Sequence, residues 1–300
     1  MRRLAALAVA GAALWLAPGA LAAGWCGTGE IATDRADVTT GPQMHPIVAV
    51  PSDGADTFAT VANRIADDVE SMSTWWVGQD ATRVPRLDLA GFPGGACLDI
   101  SFVRLAEPGS AFRGGSAAFN QIVNELVRAG FSSAYKRYDV YYDGPAVQTN
   151  VCGTGAGDFT SGPAFAIVWL SGCPGVPTDG VSTHELLHAF GALPAGAPHA
   201  CPGDAFHPCD SDADVLSPFT HGQPLAEQVL DVNHDDYYAH SGTWNDIQDS
   251  AWLHHLDAPQ VALAVALSGP GSVSSDLPGL ACSVTCTTQW DQGTDRKSVV

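Results

Sequence analysis

Lysine is almost missing from this sequence. Of 300 residues only Lys136 and Lys297 are lysine, and lysine and arginine together number 13 against 32 aspartates and glutamates. The formal charge is −19, or −21 without Arg2 and Arg3. Such an acidic chain repels phosphate backbones and anionic headgroups, which argues against nucleic acid or an anionic membrane as a partner. A bilayer-spanning apolar run is also missing, so no membrane span is expected. No CxxC pair, GxSxG elbow or phosphate loop occurs. Free-thiol metal sites, serine-hydrolase chemistry and P-loop nucleotide chemistry therefore have no anchor in this sequence. No disordered tract and no long-period repeat is visible. With 46% hydrophobic and 15% charged residues, the chain has room for one large domain, or for one domain and a small companion.

The chain opens MRRLAALAVAGAALWLAPGALAA. Arg2 and Arg3 precede an apolar run from Leu4 to Leu16, and Ala20-Leu21-Ala22 offers a small-residue cleavage site. Residues 1–22 therefore read as a signal peptide, and the mature protein as secreted and extracellular. Eight cysteines agree with export, since an even count in an oxidising compartment suggests disulfides. Neighbours along the chain suggest Cys26 with Cys97, Cys152 with Cys173, Cys201 with Cys209, and Cys282 with Cys286. Spacing alone does not fix that connectivity.

Periodicity predicts mixed helices and strands around an open sheet. Ile47 to Val50 reads as a first strand. Phe58, Val61, Ile65, Val69, Met72 and Trp76 recur at helical steps after a cap at Asp56 or Thr57. Leu87 with Leu89, and Leu98 with Ile100 and Phe102, alternate as strands do. Phe119, Ile122, Val123 and Leu126 mark a second helix ending near Gly130. Tyr138, Val140 and Tyr142 mark another strand, and Ala164 to Leu170 is apolar throughout, as in a strand covered on both faces. Past Val261 the texture changes to short strands with Gly/Pro/Ser turns. Residues 261–294 read as the start of a small β-rich module, and 295–300 as a foreign tail.

The chemistry concentrates at His184-Glu185-Leu186-Leu187-His188. On a helix, histidines four apart lie one turn apart on one face, so both rings can reach one ion. Glu185 then reaches over the open side, where it can take a proton from a metal-bound water. Neutral imidazoles suit Zn2+, and a tetrahedral ion keeps a fourth place for water. Asp179 or Ser182 can cap this helix, and Gly191 can end it in a left-handed turn.

HELLHAFG resembles the metzincin-like zinc metalloproteases, over roughly Ile47 to Phe219. The resemblance implies an α+β, zincin-like catalytic domain over residues 23–260, with a mixed twisted sheet and an active-site helix. The truncated β module would follow it. It also implies a tight turn beneath the metal. Asp214-Val215-Leu216-Ser217-Pro218 is similar to that turn, with Leu216 where the family has methionine. Leu193-Pro194 stand where the family places its third ligand, and neither can bind metal. Three candidates remain, in this order: His199 on a Pro/Gly-rich insertion held by Cys201, then His207, then Glu227.

Asp231, Asn233 and Asp235 space oxygens two apart, as Ca2+ loops do, though a solvated acidic turn explains them better. Tyr237 or Tyr238 could stabilise an oxyanion. Trp75, Trp76, Trp244 and Trp252 read as core or groove walls, and His254-His255 as surface. The function expected is zinc-dependent hydrolysis of peptide bonds, with a peptide or protein as partner. The alternative is a non-catalytic secreted binding protein on the same fold.

Overall fold

The computed structural model describes residues 25–27, 29–156, 163–193, 196–218, 222–267, 270–275, 280–291 and 298–299. The expected signal peptide, 1–22, and most of the expected foreign tail lie outside them. The elements run β1 Gln43–Val50, α1 Phe58–Gln79, β2 Arg83–Pro85, β3 Leu89–Phe92, β4 Gly95–Leu98, β5 Ser101–Arg104, α2 Gly115–Arg128, β6 Lys136–Tyr142, β7 Gly153–Ala156, β8 Ala164–Trp169 and α3 Thr178–Phe190. Two short strands, β9 Ala200–Cys201 and β10 Asp204–Pro208, follow. No helix among the described residues is long and apolar enough to cross a membrane.

Five strands form one sheet in the order β5-β1-β6-β8-β7. The first four are parallel, and β7 runs antiparallel to β8 at the edge. Side-chain alternation sorts each strand between two cores. In β1, Met44, Val48 and Val50 pack with α1 and α3, while Ile47 and Ala49 pack with α2. In β8, Ala164, Ala166 and Val168 take the first face and Phe165, Ile167 and Trp169 the second. Burial on both faces explains why β8 has no polar residue. Burying each large apolar side chain contributes about 1.5–3 kcal/mol.

The helices follow the expected periodicity. Phe58, Val61, Ile65, Val69, Met72 and Trp76 are all buried along α1. The expected strand through Leu98, Ile100 and Phe102 is two strands, broken at Asp99 and Ile100. There the buried Asp99 carboxylate bonds the Arg35 backbone N–H and guanidinium. β1 begins four residues before the expected strand, because the buried His45 in that start finds internal partners. His45 Nδ1 lies 2.6 Å from Asp88 Oδ2, and its Nε2 lies 3.0 Å from Ser101 Oγ. Buried Lys136 joins Asp34, Asp37 and Asp88.

All four cysteine couples form disulfides. His254 and His255, expected at the surface, are half-buried and pair with Val84 and Arg83 in a short antiparallel ladder. Trp75, Trp76 and Trp252 are buried, and Trp244 packs against the core from its margin. Beyond residue 260 the chain is β-rich. Gln260–Val265 pairs with Cys286–Asp291, and Val273, Leu280, Cys282 and Trp290 form a separate small core.

Candidate metal centre

Helix α3 crosses the face of the sheet beside the edge strand. Its start differs from the expected caps. Pro177 precedes the first turn with no side-chain cap, Asp179 accepts from Ser71 Oγ, and buried Ser182 donates to Asp139 Oδ2 at 2.8 Å. Its end is as expected. Gly191 adopts φ 90°, ψ 25°, and its N–H and that of Ala192 close on the His188 and Leu187 carbonyls. Leu186, Leu187 and Phe190 anchor the helix in the core.

His184 and His188 project from one face of α3, and a third histidine meets them. The residue is His207 on β10, not His199. The three Nε2 atoms form a nearly equilateral triangle, with separations of 3.2 Å between His184 and His188 and 3.3 Å from each to His207. His199, first in the expected order, points elsewhere. Its Nδ1 lies 3.1 Å from Asp236 Oδ2, among Asp210, Asp235 and Asp236. Glu227 sits in a single 3-10 turn, Leu225–Glu227, and joins no group of metal-competent side chains among the described residues.

The two ring-orienting contacts define the chemistry of this triangle. His184 Nδ1 lies 2.8 Å from the Val215 carbonyl, which can only accept, so this nitrogen carries the proton. His207 Nδ1 donates likewise to Asp204 Oδ2 at 2.8 Å. Both rings therefore turn Nε2 towards the same point. Three converging ring nitrogens at this spacing suit a cation between them. A point equidistant from all three nitrogens is about 1.9 Å from each (the triangle's side divided by √3), close to the 2.0–2.1 Å of a zinc–imidazole bond. The donor set fits zinc. Burial, followed by the neighbouring His207 ring, pushes the His184 ring down to about 4. Burial and the two neighbouring rings hold His188 well below its usual range. Both rings are thus neutral near pH 7, the state a metal requires.

The carbonyl that fixes His184 belongs to the turn anticipated at Asp214–Pro218. Asp214 Oδ1 accepts the Leu216 N–H at 2.7 Å and Oδ2 the Val232 N–H at 3.0 Å, while Tyr237 donates its hydroxyl to Oδ1 at 2.7 Å. Leu216, at the centre of this turn, is fully buried.

Glu185 is buried beside the triad. Burial pushes its carboxyl up to about 8, the Gly155 N–H pulls it down, and Asp139 adds to the rise. A cleft of about 810 Å3 opens over this group. Glu185, His188 and His207 line it, together with β7, Ser116, Phe119 and Asn120 of α2, Phe206 and Asn245.

Neither tyrosine expected at an oxyanion reaches the cleft. Tyr237 is fully buried with its hydroxyl on Asp214, and Tyr238 donates to Asp80 at 2.8 Å. The expected calcium loop does not close either. Asp231 turns inward and accepts the N–H groups of Asp236, Tyr237 and Tyr238, and among the described residues it shares no ligand group with Asp235. Sequence reasoning missed Asp204, Gly155 and Asp236. Only Asp204 left a local signal, three residues before His207.

No family model matches the sequence, and no curated protein matches it. Among solved structures, wild-type OgpA from Akkermansia muciniphila aligns in two crystal forms. One alignment has 16% identity over 54% of this chain and 52% of that one, about half its length, with a TM-score of 0.32. The other has 12% identity over 94% and 86%, with a TM-score of 0.40. Catalytically inactive OgpA in complex with an O-glycopeptide substrate, glycodrosocin, aligns at 14% identity over 91% and 87%, with a TM-score of 0.36. Superpositions this loose assign no chemistry to the present chain.

Proposed function

We propose that this chain is a secreted zinc-dependent peptidase in which His184, His188 and His207 hold the metal and Glu185 is the general base. The observation that carries this reading is the convergence of three ring nitrogens beside a buried glutamate, on the floor of an open cleft. A zinc ion bound there would supply an activated water and polarise a peptide carbonyl.

The protein's own residues do the rest. Val215 and Asp204 hold two rings with their free nitrogens inward. Gly155 presents its N–H to Glu185, which fixes the carboxylate at the cleft. A carboxyl raised by burial, then lowered by a nearby cation, titrates near neutrality and can accept a proton and return it to the leaving amine. The cleft volume matches a site for several residues of extended peptide. Four disulfides fit an oxidising, extracellular compartment.

Zinc content and casein cleavage, measured for wild type and Glu185→Ala, test the proposal. One zinc per chain is expected in both, with cleavage in wild type and a loss of about 10²–10⁴-fold in the variant. Wild-type protein that binds zinc yet cleaves nothing in a broad peptide panel would instead be a binding protein on this fold.

A further inference from the structure

We infer that His199 and Asp236 form a clamp that positions His207, so that both act on the metal site without touching the metal. The inference rests on the triad being a metal site. His184 and His188 need no such device, because one helical turn sets their spacing and the core fixes the helix. His207 comes from a thin arm, β9 and β10, on which Pro202, Gly203, Ala205 and Phe206 are exposed. Such an arm buries too little to fix its own position. Its base must do so.

The base is built in three links. Cys201 and Cys209 close the arm by a disulfide. The Cys209 N–H donates to the His199 carbonyl at 2.9 Å. His199 then grips Asp236 twice, through its backbone N–H to Oδ1 at 2.8 Å and its ring Nδ1 to Oδ2 at 3.1 Å. The Asp236 side chain is fully buried, while the His199 ring is 38% exposed. Burial opposes charge on that ring, but Asp236, Asp235 and Asp210 outweigh it and raise the ring's affinity for a proton.

Asp236 is itself immobilised. Its N–H lies 3.2 Å from each Asp231 oxygen, and Trp244 Nε1 donates to its carbonyl at 2.7 Å. Asp231 also receives the N–H of Tyr237, whose hydroxyl holds Asp214 beside the carbonyl that orients His184. One loop, residues 231–238, thus braces both sides of the triad. Ligands must meet within a few tenths of an ångström of bonding distance, so a loosened arm weakens the site.

The test measures the zinc dissociation constant of the full chain by competition with a chromophoric chelator. It also records the visible spectrum of the Co2+-loaded protein. His199→Ala and Asp236→Asn are compared with wild type and His207→Ala, and circular dichroism reports folding. Each clamp variant should bind zinc about 10–100-fold more weakly. Each Co2+ spectrum should move towards that of His207→Ala. The half-exposed His199 ring keeps the test decisive if the buried Asp236→Asn variant fails to fold. A folded clamp variant with wild-type affinity and spectrum overturns the clamp alone. Wild type that takes up no zinc, or His207→Ala that binds as tightly as wild type, overturns the triad itself.

Discussion

Gly155 lies so close to Glu185 that a Cβ placed on it would sit 2.3 Å from the Glu185 carbonyl oxygen and 2.9 Å from His188 Cβ. The edge strand and the active helix touch backbone to backbone here, and only glycine permits it. Gly153 repeats the theme against the Glu185 carboxylate, 2.4 Å from Oε1.

Gly155→Ala should therefore force strand and helix apart, because neither the carbonyl oxygen nor the Cβ can rotate away. A loss of about 1–3 kcal/mol in urea unfolding is expected. Gly29→Ala, where an added Cβ meets nothing within 4 Å, should stay within about 0.5 kcal/mol of wild type. An unchanged midpoint for Gly155→Ala would refute the close approach.

Asp139 gives a pH prediction with a definite sign. It is fully buried beneath α3, and burial pushes its carboxyl from 3.8 to about 8, with Ser182 opposing and Asp68 adding to the rise. The folded state thus holds this proton more tightly than the unfolded chain. Its contribution to stability is greatest at low pH and declines as pH climbs towards about 8, by up to about 1.4 kcal/mol per pH unit. Asp139→Asn removes that decline. Urea unfolding at pH 5 and pH 7.5 should show the variant gaining on wild type at the higher pH. Parallel behaviour at both would rule the assignment out.

Zinc should also stabilise the fold, because the triangle of nitrogens exists only in the folded chain. Zinc at about 100 times its dissociation constant should add about 2.7 kcal/mol, and a chelator should remove it. His207→Ala should gain clearly less at the same concentration. Thermal unfolding with and without zinc reads this directly, and equal shifts in both proteins would count against His207.

Much of the scaffold was legible from side-chain rhythm. The apolar run from Ala164 and the three- and four-residue steps of α1 each predicted one element of the right type. HELLH and Gly191 placed two ring nitrogens and the end of their helix. The third nitrogen was not legible. Sequence distance favoured His199, and only tertiary pairing of β9 with β10 turns His207 inward. The calcium pattern failed because spacing does not say which way a carboxylate faces, and Asp231 faces its own backbone. His45 hid the start of β1, since nothing nearby in the chain announces Asp88, Ser101 or Lys136 as its surroundings.

The disulfide between Cys152 and Cys173 brackets β7 and β8, with one cysteine just before β7 and the other shortly after β8. Its fastening lies at the Gly153 end of the edge strand. Two of that strand's four residues are glycine, so it holds poorly by itself. Peeling of the edge strand is therefore hindered at its Gly153 end, as a binding holds a page. Gly153, beside that binding and packed against the Glu185 carboxylate, would then be the last of the four to let go.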